Sequence, residues 1–328
     1  MENILLIRLK SIGDVILTLP AVNAVRANFP AAKITFLTSK ENSPLLRGFR
    51  EVNEVIGLDR SALRSGNPFR VVPEFLGLLR RLRSGRFSTV VDFQGYGETA
   101  WLARFTGAAQ RWGYLNRPKR GWAYTRWIMV DPKLHAAAGY LQLLEKCGLK
   151  TGAVRNEFAL PETSLADARE WFAVQKLDPG RPTLYLQPFT STPHKNWPFE
   201  NYLALAKDWR ARGVQVIVAG GPADQPSLAQ ARGLGFAVSS GLPRLTDVGL
   251  MKLSTLVVGG DTGFLHLAVA LGKRVVMLIR LRESGSVIPF EHPEWVVAPP
   301  PGLPLDQVGL DTMVQATGAA LAAAATGN

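Results

Sequence analysis

Residues 256–278 read LVVGGDTGFLHLAVALGKRVVML, and that stretch leaves the chain few choices. Leu256-Val257-Val258 is a short apolar run suited to a buried strand, and Gly259-Gly260-Asp261-Thr262-Gly263 is a turn. Residues 264–271 have helical spacing, Gly272 is placed to end that helix, and residues 274–278 form a second apolar run. Strand, glycine turn, helix and strand make one right-handed βαβ unit, which calls for a parallel sheet. The unit sets a helix N-terminus at the carboxyl end of a strand, where free backbone N–H groups and the helix dipole favour a phosphate. Gly260 and Gly263 let a ligand approach the backbone closely. Asp261 would repel a phosphate, so its chemistry suits sugar hydroxyls or a ribose. His266 lies within the first helical turn and can face the same ligand. Taken alone, the stretch is better served by a plainer account, a glycine-rich turn with Asp261 as a helix cap.

The rest of the chain repeats this alternation. Strands are expected over residues 3–9, 33–37, 54–56, 88–93 and 111–113, and helices over 15–29, 71–83, 98–105 and 135–147. Pro30 closes the first helix and Gly148 the last. Residues 150–163 have weak periodicity and read as a linker, with Ser164 capping a helix that runs to about residue 174. Strands then recur at 183–186 and 214–219, and helices at 199–212, 224–231 and 246–253. Alternation of this kind predicts parallel sheets with helices on both faces. The Ala-rich tail over 305–325 is a strong helix former.

A length of 328 residues is comfortable for two domains, and 47% apolar with 20% charged residues is an ordinary globular composition. A single cysteine, Cys147, excludes an intrachain disulfide and a Cys-based zinc site, and permits the reducing cytoplasm. The first apolar run is cut by Arg8, Lys10 and Asp14, so no secretory signal is expected, and no run is long enough to span a bilayer. The net charge of +12 is concentrated: residues 1–165 carry 24 Lys and Arg against 13 Asp and Glu, and residues 166–328 carry 14 against 13. The first half is therefore expected to meet something anionic, such as an acidic acceptor, a membrane surface or nucleic acid.

Three segments appear in order across nearly the whole chain: IRLKSIGDVILTLPAV near the start, HKNWPFENY at 194–202, and GGDTGFLHLAVALGKRVV. Together they resemble glycosyltransferase family 9, the heptosyltransferases that add heptose from ADP-heptose to the lipopolysaccharide core. The resemblance implies an α/β chain of GT-B architecture, two doubly wound Rossmann-like domains facing across a cleft. Residues 1–160 would be the acceptor-binding domain and 161–304 the nucleotide-sugar-binding domain. The helix in 305–328 would pack back on the N-terminal domain.

Glycosyl transfer needs a base for the acceptor hydroxyl, positive groups for the departing diphosphate, and exclusion of water. Asp14 opens a helix after the first strand, as a helix cap also would. The resemblance makes it the catalytic base. Lys195 lies between a strand and a helix at the carboxyl edge of the second sheet, where nucleotides bind, and is the expected diphosphate ligand. Thr190 and Ser191 match the family's hydroxyl pair on the phosphates. Trp197 is read as packing. Thr262 and Gly263 would hold the phosphates from the other side, with Asp261 and His266 toward the donor sugar or its phosphate. Asp224 stands near the family's ribose-binding acid, and serves equally as a cap after the turn at Gly220-Gly221-Pro222. Arg60, Arg64 and Arg120 are the loop candidates for an acidic acceptor. The segment HAAAGY from His135 carries Gly139 where the family has an arginine, and so carries no role across.

No Asp-x-Asp occurs and the four histidines are scattered, so metal-independent, inverting transfer is expected, with no cofactor beyond the nucleotide-sugar donor. The implied partners are ADP-heptose or another nucleotide sugar and an acidic glycolipid. The implied place is cytoplasmic, with peripheral contact at the inner face of the membrane. After Leu278 the chain reads IRLRESGSVIPFEHPEW, keeping only Gly285 and Pro289 of the family's usual segment there, which leaves donor identity open. The competing readings are a basic nucleic-acid- or anionic-surface-binding protein on a degenerate GT-B scaffold, a degenerate transferase that binds a nucleotide sugar without turnover, and a dinucleotide oxidoreductase. The last lacks G-x-G-x-x-G in its first turn, and the first lacks any nucleic-acid motif.

Overall fold

The computed structural model describes residues 2–152, 155–192, 195–280 and 288–325, apart from the side chain of Arg70. His194 and Gly285, and with Gly285 residues 281–287 of the segment that departs from the family, lie outside the described residues. The chain divides into two compact units between Ala159 and Leu160.

The first unit runs β1 (Asn3–Ile7), α1 (Ile12–Ile16), α2 (Leu19–Asn28), β2 (Lys33–Ser39), β3 (Glu54–Leu58), α3 (Arg60–Arg64), α4 (Pro68–Ser84), β4 (Thr89–Asp92), α5 (Gly97–Phe105), β5 (Gln110–Leu115), β6 (Arg126–Met129) and α6 (Ala136–Lys146). Its six strands are all parallel, in the order β3-β2-β1-β4-β5-β6. Alternate residues of β1 serve opposite faces. Leu5 and Ile7 pack with Leu78 and Leu82 of α4 and with Ala100 and Ala103 of α5. Across the sheet Tyr140 of α6 meets Phe93 and Tyr114, ring centroids 5.0 and 5.3 Å away. Every residue of β4 is buried, as a parallel strand covered on both faces must be.

The second unit runs α7 (Glu162–Val174), β7 (Thr183–Gln187), α8 (Phe199–Ala211), β8 (Gln215–Gly220), α9 (Gln225–Gly233), β9 (Ala237–Ser240), α10 (Arg244–Leu253), β10 (Leu256–Gly260), α11 (Gly263–Ala270), β11 (Val275–Leu278), β12 (Val296–Val297) and α12 (Leu310–Ala325). Its strands are parallel in the order β12-β11-β10-β7-β8-β9. Counted from the first strand of each unit, both sheets have the order 3-2-1-4-5-6, that of the doubly wound dinucleotide fold. The chain reverses direction across each sheet between the first and fourth strands, β1 and β4 in one unit and β7 and β10 in the other.

Three expectations are corrected. The helix expected over 15–29 is two helices, α1 and α2, because Pro20 can occupy only the first turn of a new helix. Thr18 closes the break, its hydroxyl donating to the Val15 carbonyl at 2.6 Å. Ser164 is not a cap: α7 begins two residues earlier, after Pro161, and Ser164 is buried inside it. The terminal helix, expected to pack back on the first unit, spends its buried face on the second. Met313 and Ala320 of α12 join the core of α8, β8 and β10, Trp209 Nε1 donates to Thr317 Oγ1 at 2.8 Å, and Trp197 Nε1 donates to the Val308 carbonyl at 2.9 Å.

Candidate functional site

In each unit the candidate residues gather where open α/β sheets bind ligands, outside the carboxyl ends of the strands at the reversal point. In the first unit these are the turns after β1 and β4. Arg8 directly follows β1, and its NH2 lies 2.8 Å from Asp14 Oδ2. The same oxygen accepts the backbone N–H of Ser11 at 2.8 Å and the Ser11 hydroxyl at 3.1 Å. Asp14 is thus the third residue of α1, closing a capping box with Ser11 rather than capping the helix itself. Burial pushes its carboxyl up, but the Arg8 guanidinium and the Ser11 hydrogen bonds outweigh that and hold it below the usual range. Arg8 is anchored in turn by donating to the Phe93 carbonyl at 2.7 Å.

The turn after β4 supports the turn after β1. Gln94 Oε1 accepts the N–H groups of Leu9 and Lys10 at 2.9 and 3.3 Å. Buried Asp92 accepts the N–H groups of Gln94 and Gly95 and the Tyr124 hydroxyl, at 2.8, 3.0 and 2.6 Å. Gly95 has φ +60°, and a Cβ there would overlap the Tyr114 carbonyl, so only glycine fits this turn.

The three acceptor candidates are treated differently. Arg60 NH2 meets Glu98 Oε1 at 3.3 Å. Arg120 donates to the Gly95 carbonyl at 2.8 Å and to Asn116 Oδ1. Arg64 is exposed in the last turn of α3. The ring of Tyr96 has Lys10 Nζ 5.6 Å and Arg120 Cζ 5.7 Å from its centroid, which gathers two cations next to the Asp14 turn. Lys10, Gln94 and Tyr96 went unremarked as site residues in the sequence. A polar residue followed by glycine, Gln94-Gly95, directly after the strand segment STVVDF is the signal that marks Gln94. At Gly139 a Cβ would overlap the Tyr114 hydroxyl, so an arginine has no room there.

In the second unit the turns after β7 and β10 meet. Lys195 Nζ lies 2.7 Å from Asp261 Oδ2, and His266 Nε2 lies 3.6 Å from Asp261 Oδ1. Burial raises the Asp261 carboxyl, but His266 and Lys195 more than offset it, so Asp261 stays ionised below the usual range. Thr262 caps α11 by position with no side-chain hydrogen bond. Its buried Oγ1, like Nδ1 of His266, has no hydrogen-bond partner among the described residues. Buried polar atoms are rarely left so, and both fall at the helix N-terminus that suits an anion. The loop from β7 closes on this turn because residue 260 has no side chain. A Cβ on Gly260 would come within 2.8 Å of Thr190 Cγ2 and 3.1 Å of the Lys195 carbonyl.

Thr190 takes the Asn196 side-chain oxygen on its N–H at 2.9 Å and donates its hydroxyl to the Thr192 carbonyl at 2.8 Å, and Ser191 is exposed beside it. Trp197 is buried against Tyr202, ring centroids 5.0 Å apart, a packing role. Asp224 follows β8, and its carboxylate accepts the Gly221 N–H at 2.8 Å, so it does cap its own turn while standing on the same sheet edge. Among the described residues no group of three or more His, Cys, Asp or Glu could hold a metal ion.

Residues 75–293 match the profile of glycosyltransferase family 9 (heptosyltransferase). The chain is 27% identical over 278 residues to lipopolysaccharide heptosyltransferase 1 of Pseudomonas aeruginosa, covering 82% of this chain and 76% of that protein. It resembles the crystal structure of the glycosyl transferase family 9 protein from Veillonella parvula with a TM-score of 0.84 at 19% identity, over 98% of this chain and 97% of that one. Against E. coli heptosyltransferase WaaC with ADP the TM-score is 0.81 at 19% identity, over 97% and 99%. These likenesses give the fold, GT-B with two Rossmann-like domains.

Proposed function

Since the chain belongs to glycosyltransferase family 9, the heptosyltransferases, we propose that it moves a heptosyl group from ADP-heptose onto an acidic sugar of a lipopolysaccharide-core-type acceptor, with inversion and without a metal ion. The observation that carries the donor half is the meeting of Lys195, Asp261, Thr262 and His266 at the reversal point of the second sheet. The Lys195 ammonium, held at that point by Asp261, takes the diphosphate as its charge grows. The Thr262 hydroxyl and the N–H groups at the start of α11 take phosphate oxygens, Thr190 and Ser191 approach them from the loop after β7, and Gly263 keeps the backbone accessible. Asp261 and His266 face the sugar. Asp224 follows the unit's second strand, the position at which doubly wound dinucleotide folds carry a ribose-binding acid, and that supports a ribose role for it.

The first unit supplies the base. As the acceptor oxygen forms its bond to the anomeric carbon, the bond from that carbon to the diphosphate breaks, and the hydroxyl proton passes to Asp14. A carboxylate held low by Arg8 is a weak base, so the proton moves late, once the attacking oxygen has become acidic. Lys10 and Arg120, gathered at Tyr96 beside that turn, and exposed Arg64 offer positive charge to an acidic acceptor. The relatives' names support a lipopolysaccharide-type acceptor, and we infer from it that the work is done at the cytoplasmic membrane face.

The test is calorimetry with ADP, ADP-heptose and uridine and guanosine sugars, without metal, on the wild type and Lys195→Ala. Selective ADP or ADP-heptose binding that weakens in the variant upholds the donor. Selective binding of a uridine or guanosine sugar discards the heptose, and no nucleotide binding at all discards transfer. A product that retains the donor's anomeric configuration sinks the displacement mechanism.

A further inference from the structure

The exposed apolar residues of the first unit are not scattered. Along α4, Phe69, Val72 and Leu76 follow at spacings of three and four, and the same row continues into Arg80 and Arg83. That spacing puts all five on one side of the helix, and all five are exposed, Phe69 to 87%. Leu78 and Leu82 occupy the core side. So α4 is apolar inside, apolar outside over its first half, and basic outside at its end. In α5, Trp101 is 67% exposed and Phe105 lies one turn on, with exposed Arg104 beside it. Trp122 adds a further exposed ring, edge-on to Trp101 at 4.7 Å.

These pieces form one patch. Arg83 NH1 donates to the Phe105 carbonyl at 3.4 Å, joining the ends of α4 and α5. Phe75 and Leu79 of α4 and Trp101 and Phe105 of α5 line an apolar hollow of about 490 Å³. Leu9 and Glu98 also line it, so it lies beside the Lys10–Asp14 turn.

A contiguous apolar patch of this kind marks an interaction site, and charge selects the partner. Residues 1–159 hold 24 Lys and Arg against 12 Asp and Glu, whereas residues 160–328 hold 14 of each. The nearby acids are turned inward or paired: Glu74 accepts the Asp59 N–H at 2.9 Å, and Glu98 pairs with Arg60. Phe and Trp rings bordered by arginines suit the boundary between acyl chains and anionic headgroups. A second copy of the same patch would bring one arginine border against another.

We propose that α4 and α5 form an insertion face that docks the protein on an anionic phospholipid bilayer, Phe69, Phe75 and Trp101 entering the interface while Arg80, Arg83 and Arg104 pair with lipid phosphates. The inference deepens the proposed function, resting on it only for the acceptor: a lipid-borne sugar at the docked surface is brought beside Asp14. Docking itself needs no transfer chemistry.

The test is co-sedimentation of the full chain with phosphatidylcholine vesicles made with and without phosphatidylglycerol. Binding is expected only with phosphatidylglycerol and is expected to weaken in salt. Phe69→Ser/Trp101→Ser is expected to lower it at least tenfold, and Arg80→Glu/Arg104→Glu to abolish it. Both variants should keep the wild-type melting temperature and wild-type ADP binding, which separates loss of docking from loss of fold and from failure of the donor reading. Equal binding to neutral vesicles, no binding to either, or unchanged binding by the Phe69/Trp101 variant overturns the proposal. So does a concentration-dependent dimer that this variant dissolves, which would assign the face to a second copy.

Discussion

Arg8 and Asp14 close on each other just past the end of β1, guanidinium to carboxylate at 2.8 Å, with Arg8 also fastened to the Phe93 carbonyl beyond β4. The pair joins the two turns at the reversal point of the sheet and sets both the aim and the basicity of the proposed base. In Arg8→Gln the guanidinium that offsets the burial of Asp14 is gone and only the Ser11 hydrogen bonds still oppose it, so its carboxyl should rise. The acid limb of the pH dependence of kcat/KM should move up with it. The same pair has a stability signature. Asp14 sits lower in the folded chain than its unfolded value of about 3.9, so its contribution is present above that pH and is lost as pH falls through the folded value. Acid unfolding of Arg8→Gln should therefore lack this increment, and its stability gap from the wild type should narrow as pH is lowered below about 4. An acid limb that stays where it was would remove Asp14 from the role of base.

Asp14→Asn keeps the shape and the acceptor for the Ser11 N–H while removing the proton-accepting charge. Transfer should fall by about 10²- to 10⁴-fold, the usual range for loss of a general base. ADP affinity should stay within about twofold, because the proposed donor site draws its residues from the second unit. A kcat loss with ADP binding intact, read by product formation and calorimetry on the same preparation, separates a chemical role from a structural one.

Much of this was legible in the sequence, for a local reason. The turns of 10–14 and 259–263 carry their own glycines and caps, so the carboxyl-edge placement of Asp14, Asp261, Thr262 and His266 follows from strand, turn and helix alone. The pairing of Lys195 with Asp261 spans 66 residues and is set by strand order, which no local pattern encodes. Arg8 read as a charge interrupting an apolar run; that it is an anchor depends on Phe93, 85 positions away. The strands β6, β9 and β12 were missed because they are short and partly exposed edge-side elements without continuous apolar runs. The destination of α12 was misread because an alanine-rich helix declares its propensity but not its partner. Trp209 and Thr317 decide that partner.

Gly260 is what lets the loop after β7 close on the turn after β10 at the proposed donor site. Gly260→Ala would push against Thr190 Cγ2 and the Lys195 carbonyl, moving the loop that carries Lys195 while leaving β10 paired. ADP affinity is expected to fall about tenfold, as a lost charge-assisted hydrogen bond would make it, with a melting temperature lowered by only a few degrees. A large drop in melting temperature with unchanged ADP affinity would show that the glycine serves packing alone.

Asp247 of α10 offers a prediction away from chemistry. It accepts the Ser239 hydroxyl and is hydrogen-bonded by Tyr185 within the second unit. Burial pushes its carboxyl up to about 6, those hydrogen bonds notwithstanding. The folded chain therefore holds the proton more tightly than the unfolded one. The resulting stability is full below about pH 4, is lost as pH rises toward 6, and is absent above it. In Asp247→Asn the site stays neutral at every pH, and the amide can still pair with Ser239 and Tyr185. At pH 8 the variant should be more stable than the wild type by about 1–3 kcal/mol, the equivalent of one to two pKa units. At pH 4 the two should be nearly equal. Thermal unfolding at both pH values measures this directly. A variant less stable at pH 8 would mean that the ionised carboxylate is better solvated by Ser239 and Tyr185 than its burial implies.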